Sequence, residues 1–246
     1  MPRCGMAKAV PHRVSSSLYA TRGAPRSFRW RPFSAFIRRR RALQRLGKLF
    51  GGNAPSRVDW LIVGLGNPGD GYAMTRHNVG FRVASTLAKR ARAEFDTKSA
   101  DSRIAEGSLG QSKIAIARPQ TFMNDSGRAV RKLLDRYRIE PSSMIVVFDE
   151  VDLQLGRVRI REKGGPGTHN GMRSIVGVVG EGFPRVRVGV APRDPAREIA
   201  DLAEYVLAPF DQDERDEADR VIGKASEAIE VAVRDGLRRA MDSFNG

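Results

Sequence analysis

Two residues of the chain, His77 and Asp149, have the types and positions needed for general-base chemistry. His77 is one of only three histidines in 246 residues and follows the glycine-rich stretch at residues 64–69. Asp149 comes directly after the apolar run at residues 144–148. A carboxylate beside an imidazole can stabilise the charged ring after the ring has taken a proton from water. Taken singly, His77 could equally cap or pack a helix, and Asp149 could equally cap a helix or shape a turn.

The glycine-rich stretch formally matches the Gly-x-Gly-x-x-Gly pattern of dinucleotide-binding turns. In such turns the third glycine lies in the opening helix, and an acid about 20 residues later binds the ribose. Here Pro68 and Gly69 predict a turn instead, and residues 84–90 contain no acid. We therefore expect no cofactor. The single cysteine, Cys4, excludes a disulfide and a cysteine metal site, and we expect no metal.

Apolar patterns predict the elements that position these residues. A short β-branched run before Gly64 predicts a buried strand, and helical spacing predicts a helix that begins around residues 75–78, with His77 in or beside its first turn. Further strands are predicted at residues 103–109, 113–117, 144–148, 158–161 and 186–190, the first two as a hairpin. Further helices are predicted over residues 129–137, 172–179 and 221–232. This alternation predicts an α/β fold, a single-domain three-layer sandwich with a mixed, largely parallel sheet flanked by helices.

Positive charge is concentrated at the N-terminus. Residues 1–58 contain 14 Lys and Arg and no acid, whereas residues 59–246 contain 29 basic and 28 acidic residues. We interpret residues 59–246 as one domain and residues 1–58 as a basic, disordered extension. Alternatives for the extension are a mitochondrial or plastid transit peptide, a start site assigned too far upstream, and a nucleic-acid-binding arm. No apolar run approaches the roughly 18 residues of a membrane-spanning helix.

Several motifs occur in the order found in bacterial-type peptidyl-tRNA hydrolases, and the chain resembles that family from about residue 59 to its end. The motifs are GLGNPG at residues 64–69, TRHNVGF at 75–81, PQTFMNDSG at 119–127, DEVDL at 149–153, GGPGTHNG at 164–171, FPR at 183–185 and YVLAPF at 205–210. The resemblance implies an enzyme that hydrolyses the ester bond of peptidyl-tRNA released prematurely from the ribosome. His77 would be the general base on water, with Asp149 as its partner.

The resemblance also implies roles for polar and aromatic residues of the motifs. Asn67 would take part in catalysis and help to distinguish peptidyl from free aminoacyl substrates, while Tyr72, Phe122, Asn124 and Asn170 would contact the tRNA end. The three asparagine amides could bind the peptide backbone, the ester carbonyl and the ribose without adding a charge. Asparagine is also an ordinary turn residue, and the two aromatic residues could instead lie in the core.

A basic cluster beside the last glycine-rich motif predicts phosphate contacts, with a solvated strand face as the alternative. The cluster consists of Arg157, Arg159, Arg161, Lys163 and Arg173. His169, which precedes Asn170, is interpreted as a structural or tRNA-proximal residue and not as the base.

The expected partner is peptidyl-tRNA, with neither a membrane nor an obligate protein partner, so that the protein would act as a monomer in the cytoplasm. A transit peptide would instead place it in a mitochondrion or plastid. The alternative function is RNA binding without turnover, as in organellar splicing factors that are similar to this family. Because the motif asparagines, His77 and Asp149 are all present, we favour the enzyme.

Overall fold

The computed structural model describes residues 57–194 and 196–246, and the predicted extension lies outside them except for its last two residues. By their backbone contacts, these described residues form one compact unit. Seven strands form one sheet in the order β2-β3-β4-β1-β5-β7-β6. They are β1 (Trp60–Gly64), β2 (Thr97–Ser99), β3 (Ser102–Leu109), β4 (Ser112–Pro119), β5 (Met144–Gln154), β6 (Val158–Arg161) and β7 (Arg185–Ala191).

The centre of the sheet is parallel and its two edges are antiparallel. Strands β4, β1, β5 and β7 run parallel to one another, whereas β3 and β2 at one edge and β6 at the other run antiparallel to their neighbours. The predicted hairpin is present as β3 and β4. The structure therefore confirms the predicted α/β fold with a mixed sheet.

Helices cover both faces of the sheet and bury two apolar clusters. They are α1 (Val79–Arg90), α2 (Ser126–Tyr137), α3 (Asn170–Val179), α4 (Leu202–Leu207), α5 (Arg215–Asp235) and α6 (Leu237–Phe244). Helices α1, α5 and α6 pack on one face, and α2 and α3 on the other. Each fully buried leucine or valine on these faces contributes about 1.5–3 kcal/mol. Among the described residues, no helix combines the length and apolar character needed to cross a membrane.

Strand β5 is longer than the apolar run that predicts it. The run ends at Phe148, yet the strand continues to Gln154. The reason is that β7 pairs with β5 beyond the end of β1: Gly64 is the last β1 residue in register with β5, whereas Asp149 is paired with Val188 of β7. Asp149 therefore lies within a strand, and not at its end as predicted, but it extends past the neighbouring strand.

Helix α1 packs directly against the end of β1. A Cβ atom at Gly64 would collide with the carbonyl oxygen of Gly80, and one at Gly80 would collide with the backbone of Leu65 and Val147. Glycine at both positions lets the two backbones touch. The turn that precedes α1, which contains His77, is thereby held beside β5.

Candidate active site

His77 lies in the single 3₁₀ turn Arg76–Asn78 that leads into α1. Its Nδ1 atom is 3.0 Å from Oδ1 and 2.9 Å from Oδ2 of Asp149. Because an ionised carboxylate only accepts hydrogen bonds, Nδ1 carries a proton, and in the neutral ring Nε2 then carries the lone pair. Within the described residues Nε2 has no recorded hydrogen-bond partner, and His77 lines a cavity. The structure thus brings together the two residues predicted to form a base and its partner.

A second histidine, His169, contacts the same carboxylate. Its Nε2 atom is 3.0 Å from Oδ1 of Asp149, and its Nδ1 atom accepts a 3.2 Å hydrogen bond from the main-chain N–H of Met172. His169 is the N-cap residue of α3, so its ring satisfies a free amide at the helix start. An Nδ1 that accepts from a backbone N–H holds no proton, which fixes the tautomer protonated at Nε2.

Asp149 is therefore the centre of a buried network, with an imidazole N–H directed at it from each side. The two rings lie 4.9 Å apart between centroids. Burial alone would raise the pKa of Asp149, but its attraction to His169 and the hydrogen bonds from His169 and His77 outweigh that effect. The pKa of Asp149 is consequently well below its usual range, and the group is an anion at neutral pH.

Asn67 is held rigidly at the edge of the cavity. Its main-chain N–H donates to Oδ1 of Asn78 at 2.8 Å, and its carbonyl oxygen accepts from Nδ2 of Asn78 at 2.9 Å. Its own Oδ1 accepts a 2.8 Å bond from the main-chain N–H of Met123. Because the side-chain oxygen is occupied, the Nδ2 group of Asn67 is the atom left to donate to a ligand. Sequence reasoning did not identify Asn78, although it lies beside His77 in the same motif.

The cavity that contains His77 has a volume of about 790 Å³ and combines polar and apolar walls. Amides of Asn67, Asn124 and Asn170 line one part of it. Phe122, which is 62% exposed, and residues of α4 line another. An imidazole base beside amide donors and an exposed aromatic ring can activate water next to a polar carbonyl.

Comparison with known proteins shows which family shares the motifs of this chain. The model of the peptidyl-tRNA hydrolase family matches residues 61–246. The chain belongs to this family. A peptidyl-tRNA hydrolase from Roseiflexus sp. (strain RS-1) is 50% identical over 188 residues, which cover 76% of this chain and 85% of that protein. One from Chloroflexus aurantiacus is 47% identical over 188 residues, covering 76% of this chain and 98% of that protein.

A solved structure supports the same assignment. The crystal structure of peptidyl-tRNA hydrolase from Acinetobacter baumannii matches with a TM-score of 0.71 and 32% identity, covering 79% of this chain and 98% of that one. The predicted family, fold class and enzyme class are therefore confirmed.

The residues expected to bind substrate in a peptidyl-tRNA hydrolase fall into two groups. Phe122, Asn124 and Asn170 line the cavity with His77. Tyr72 does not line it; this residue ends the 3₁₀ turn Asp70–Tyr72, and its carbonyl oxygen accepts a bond from Thr75. A contact between Tyr72 and substrate stays a prediction.

The predicted basic cluster lies on the His169 side of the cavity. Arg173 lines the cavity itself, whereas Arg161 and Lys163 are exposed at and after the end of β6. Arg159, in the same strand, is directly opposite Arg187 of β7, and Arg187 donates to Glu150 at 2.7 Å. The exposed cations are thus available to an anionic partner.

Arg76 connects helix α4 to the 3₁₀ turn that contains His77, here called the catalytic turn, and sequence reasoning did not identify it as a site residue. Arg76, which is buried, donates to Glu214 at 2.5 Å and to the carbonyl oxygen of Pro209 at 2.6 Å. Its guanidinium also lies 4.2 Å above the ring of Tyr205 in α4. The neighbour of His77 in the chain therefore holds the wall of the cavity that faces His77.

His77, Asp149 and His169 could also ligate a metal ion, since one ligand atom from each lies within 4.8 Å of the others. The hydrogen bonds described above account for the atoms that face one another without an ion. The expectation that no metal or cofactor takes part stays a prediction, which chelation tests directly.

Proposed function

We propose that this chain hydrolyses the ester bond that joins a peptide to the terminal ribose of tRNA, with His77 as the general base. One observation carries the proposal: Asp149 binds Nδ1 of His77, which leaves Nε2 as the ring nitrogen available to water in a cavity lined by His77 and amides. Membership of the peptidyl-tRNA hydrolase family supports the substrate class.

In the proposed reaction, Nε2 of His77 takes a proton from water as the oxygen attacks the ester carbonyl. Asp149 stabilises the resulting imidazolium, because its carboxylate is buried and ionised. The Nδ2 group of Asn67 donates to the carbonyl oxygen as it gains negative charge. The tetrahedral intermediate collapses with loss of the ribose oxygen, which receives the proton from His77. The products are a peptide carboxylate and tRNA.

The cavity walls suit the two parts of this substrate. The exposed ring of Phe122 offers a surface for the terminal base, because aromatic side chains stack on bases of single-stranded ends. Asn124 and Asn170 offer donors and acceptors to the ribose and backbone. The basic cluster on the His169 side offers contacts to phosphates.

A multiple-turnover assay tests the proposal. N-acetylated aminoacyl-tRNA should be hydrolysed for many cycles by catalytic amounts of protein, and the same tRNA with a free amino group much more slowly. His77→Gln provides the control for contaminating hydrolase. Stoichiometric tRNA binding without release of N-acetyl amino acid would instead identify an RNA-binding relative that lacks turnover.

The proposal includes action as a cytoplasmic monomer, with residues 1–58 as an extension to the catalytic domain. The single cysteine suits a reducing compartment. Mass spectrometry of the native N-terminus would reveal whether the extension is present or removed, and sedimentation would measure the oligomeric state. A mature N-terminus near residue 58 in an organelle fraction would favour the transit peptide.

A further inference from the structure

A second cavity, of about 500 Å³, is lined by Asn67 but not by His77. Asn67 lines both cavities. The walls of the second cavity include Arg103 of β3, Arg118 of β4 and Ser85 of α1. Gln120, the first residue after β4, also lines it. This arginine-lined cavity is not used by the proposed reaction.

Its two arginines are directly opposite each other in antiparallel strands. Arg103 and Arg118 are register partners, which places their Cβ atoms about 4.5–5.5 Å apart on one face of the sheet. Like charges in this arrangement destabilise a sheet. The repulsion between the two guanidinium groups therefore lowers the stability of the fold, and an anion bound beside them would remove that repulsion.

No carboxylate of the chain neutralises this pair. Every Asp and Glu lies among the described residues, since residues 1–56 contain none and residue 195 is Pro, and none forms an ion pair with either arginine. Asp70 lines the cavity but pairs with neither, and Arg82, also in the wall, is paired with Asp219.

The contacts that position the guanidinium of Arg118 do not neutralise its charge. It lies 4.0 Å above the ring of Phe95 and donates to the hydroxyl of Ser85 at 3.2 Å, and its buried Nε has no partner among the described residues. Burial and the nearby Arg103 lower the pKa of Arg118, although a guanidinium remains charged at neutral pH. The site is thus a fixed, partly desolvated cation.

The orientation of bound peptidyl-tRNA decides whether the tRNA or the peptide extends towards this cavity. The basic cluster proposed to contact tRNA lies at the β6 edge, on the His169 side, whereas the arginine-lined cavity lies over β3 and β4 in the opposite half of the sheet. If tRNA leaves the ester towards β6, the peptide leaves it towards Arg103 and Arg118. We infer that the arginine-lined cavity is a peptide subsite that prefers an acidic side chain next to the esterified residue.

This inference rests on the proposed function and makes a distinct prediction about peptide sequence. Two substrates on the same tRNA, N-acetyl-Glu-Ala and N-acetyl-Gln-Ala esters, differ only in the charge of one side chain. We expect kcat/KM to be about two- to fivefold higher for the glutamate substrate at low salt, the range of a partly screened ion pair. The preference should shrink at high salt.

Arg103→Gln should bring the ratio of the two kcat/KM values close to one. This change removes the like-charge repulsion and leaves Arg118 stacked on Phe95, so the melting temperature should be retained or raised. Arg239→Gln, an equal charge change at an exposed residue of α6, should preserve the ratio. The salt dependence of the wild-type ratio provides a readout that needs no variant.

Two results would overturn the inference. Equal hydrolysis of both substrates by the wild type would show that the cavity does not read peptide charge, while leaving the proposed function intact. Weaker binding of deacylated tRNA by Arg103→Gln, with a smaller salt slope, would show that the cavity takes a phosphate. Failure to hydrolyse either substrate would contradict the proposed function itself.

Discussion

The catalytic turn and the start of α3 each direct an imidazole at Asp149, but they leave the two rings in different states. His77 uses Nδ1 to contact the carboxylate, and its Nε2 forms no hydrogen bond with the described part of the chain. His169 uses Nε2 for the same contact, and its Nδ1 is occupied by the N–H of Met172. The second ring nitrogen, and not proximity to Asp149, therefore decides which histidine can accept a proton from water.

The difference also separates the two sides of the site. On the His169 side lie α3, Arg173 and the exposed cations of β6; on the His77 side lie Asn67, Asn78 and the arginine-lined cavity. Chemistry and the peptide are assigned to the His77 side, and support and the phosphates of tRNA to the His169 side. Each of the following experiments tests one part of that division.

The largest effect is expected from His77→Ala. Loss of the general base should lower kcat by about a hundred- to ten-thousandfold, while tRNA affinity stays near normal because the basic cluster proposed to contact the phosphates is unchanged. Single-turnover hydrolysis and tRNA binding measured on the same preparation provide the check. If His169→Ala caused the larger loss of kcat, the assignment of the base would be reversed.

Asp149→Asn should reduce kcat by roughly a hundredfold, since the amide cannot stabilise an imidazolium as a carboxylate does. Single-turnover hydrolysis at neutral pH measures the loss. Wild-type activity would remove Asp149 from the mechanism.

Much of the His77 side could be predicted from sequence, because its evidence is local. The apolar run before Gly64 predicts β1, helical spacing after His77 predicts α1, and the motif at residues 75–81 joins the base to its helix. The pairing of His77 with Asp149 depends on a close approach of Gly64 and Gly80, two residues whose type already indicates where a side chain would not fit.

The His169 side and the arginine-lined cavity depend on contacts between distant segments. The contact of His169 with Asp149 requires that β5 continue past β1, and only pairing with β7 causes that extension. The Arg103–Arg118 pair appears only when the register of β3 and β4 is known.

A pair of substitutions at His169 separates its two contacts. His169→Ala removes both, whereas His169→Asn can keep the helix cap because asparagine is a favourable N-cap residue. We expect both variants to lose about tenfold in kcat, since Asp149 loses one donor in each, and only the alanine variant to lose melting temperature. Full activity in His169→Asn would mean that His169 acts on the helix alone.

Acid unfolding tests whether both rings keep Asp149 ionised. The lowered pKa of Asp149 contributes stability above the unfolded-state value of about 3.9, and this contribution is lost as the pH falls towards the folded-state pKa. Asp149→Asn should therefore lose less melting temperature than the wild type as the pH falls from about 5 to about 2, since most of the loss occurs below the unfolded-state value. Parallel curves for the two proteins would contradict a strongly lowered pKa.

The smallest effect on turnover is expected from the RNA side. Replacing exposed Arg161 and Lys163 with Ala should weaken tRNA binding and reduce its salt slope by up to about two units, one for each lost phosphate contact. At saturating substrate kcat should change little, because neither side chain lines the cavity that contains His77. Binding of deacylated tRNA measured across a salt series provides the slope, and Arg238→Ala with Arg239→Ala in α6 is the matched loss of two exposed charges. An equal slope for wild type and the Arg161 and Lys163 variant would move the RNA surface away from β6, and the direction assigned to the peptide would have to be reversed with it.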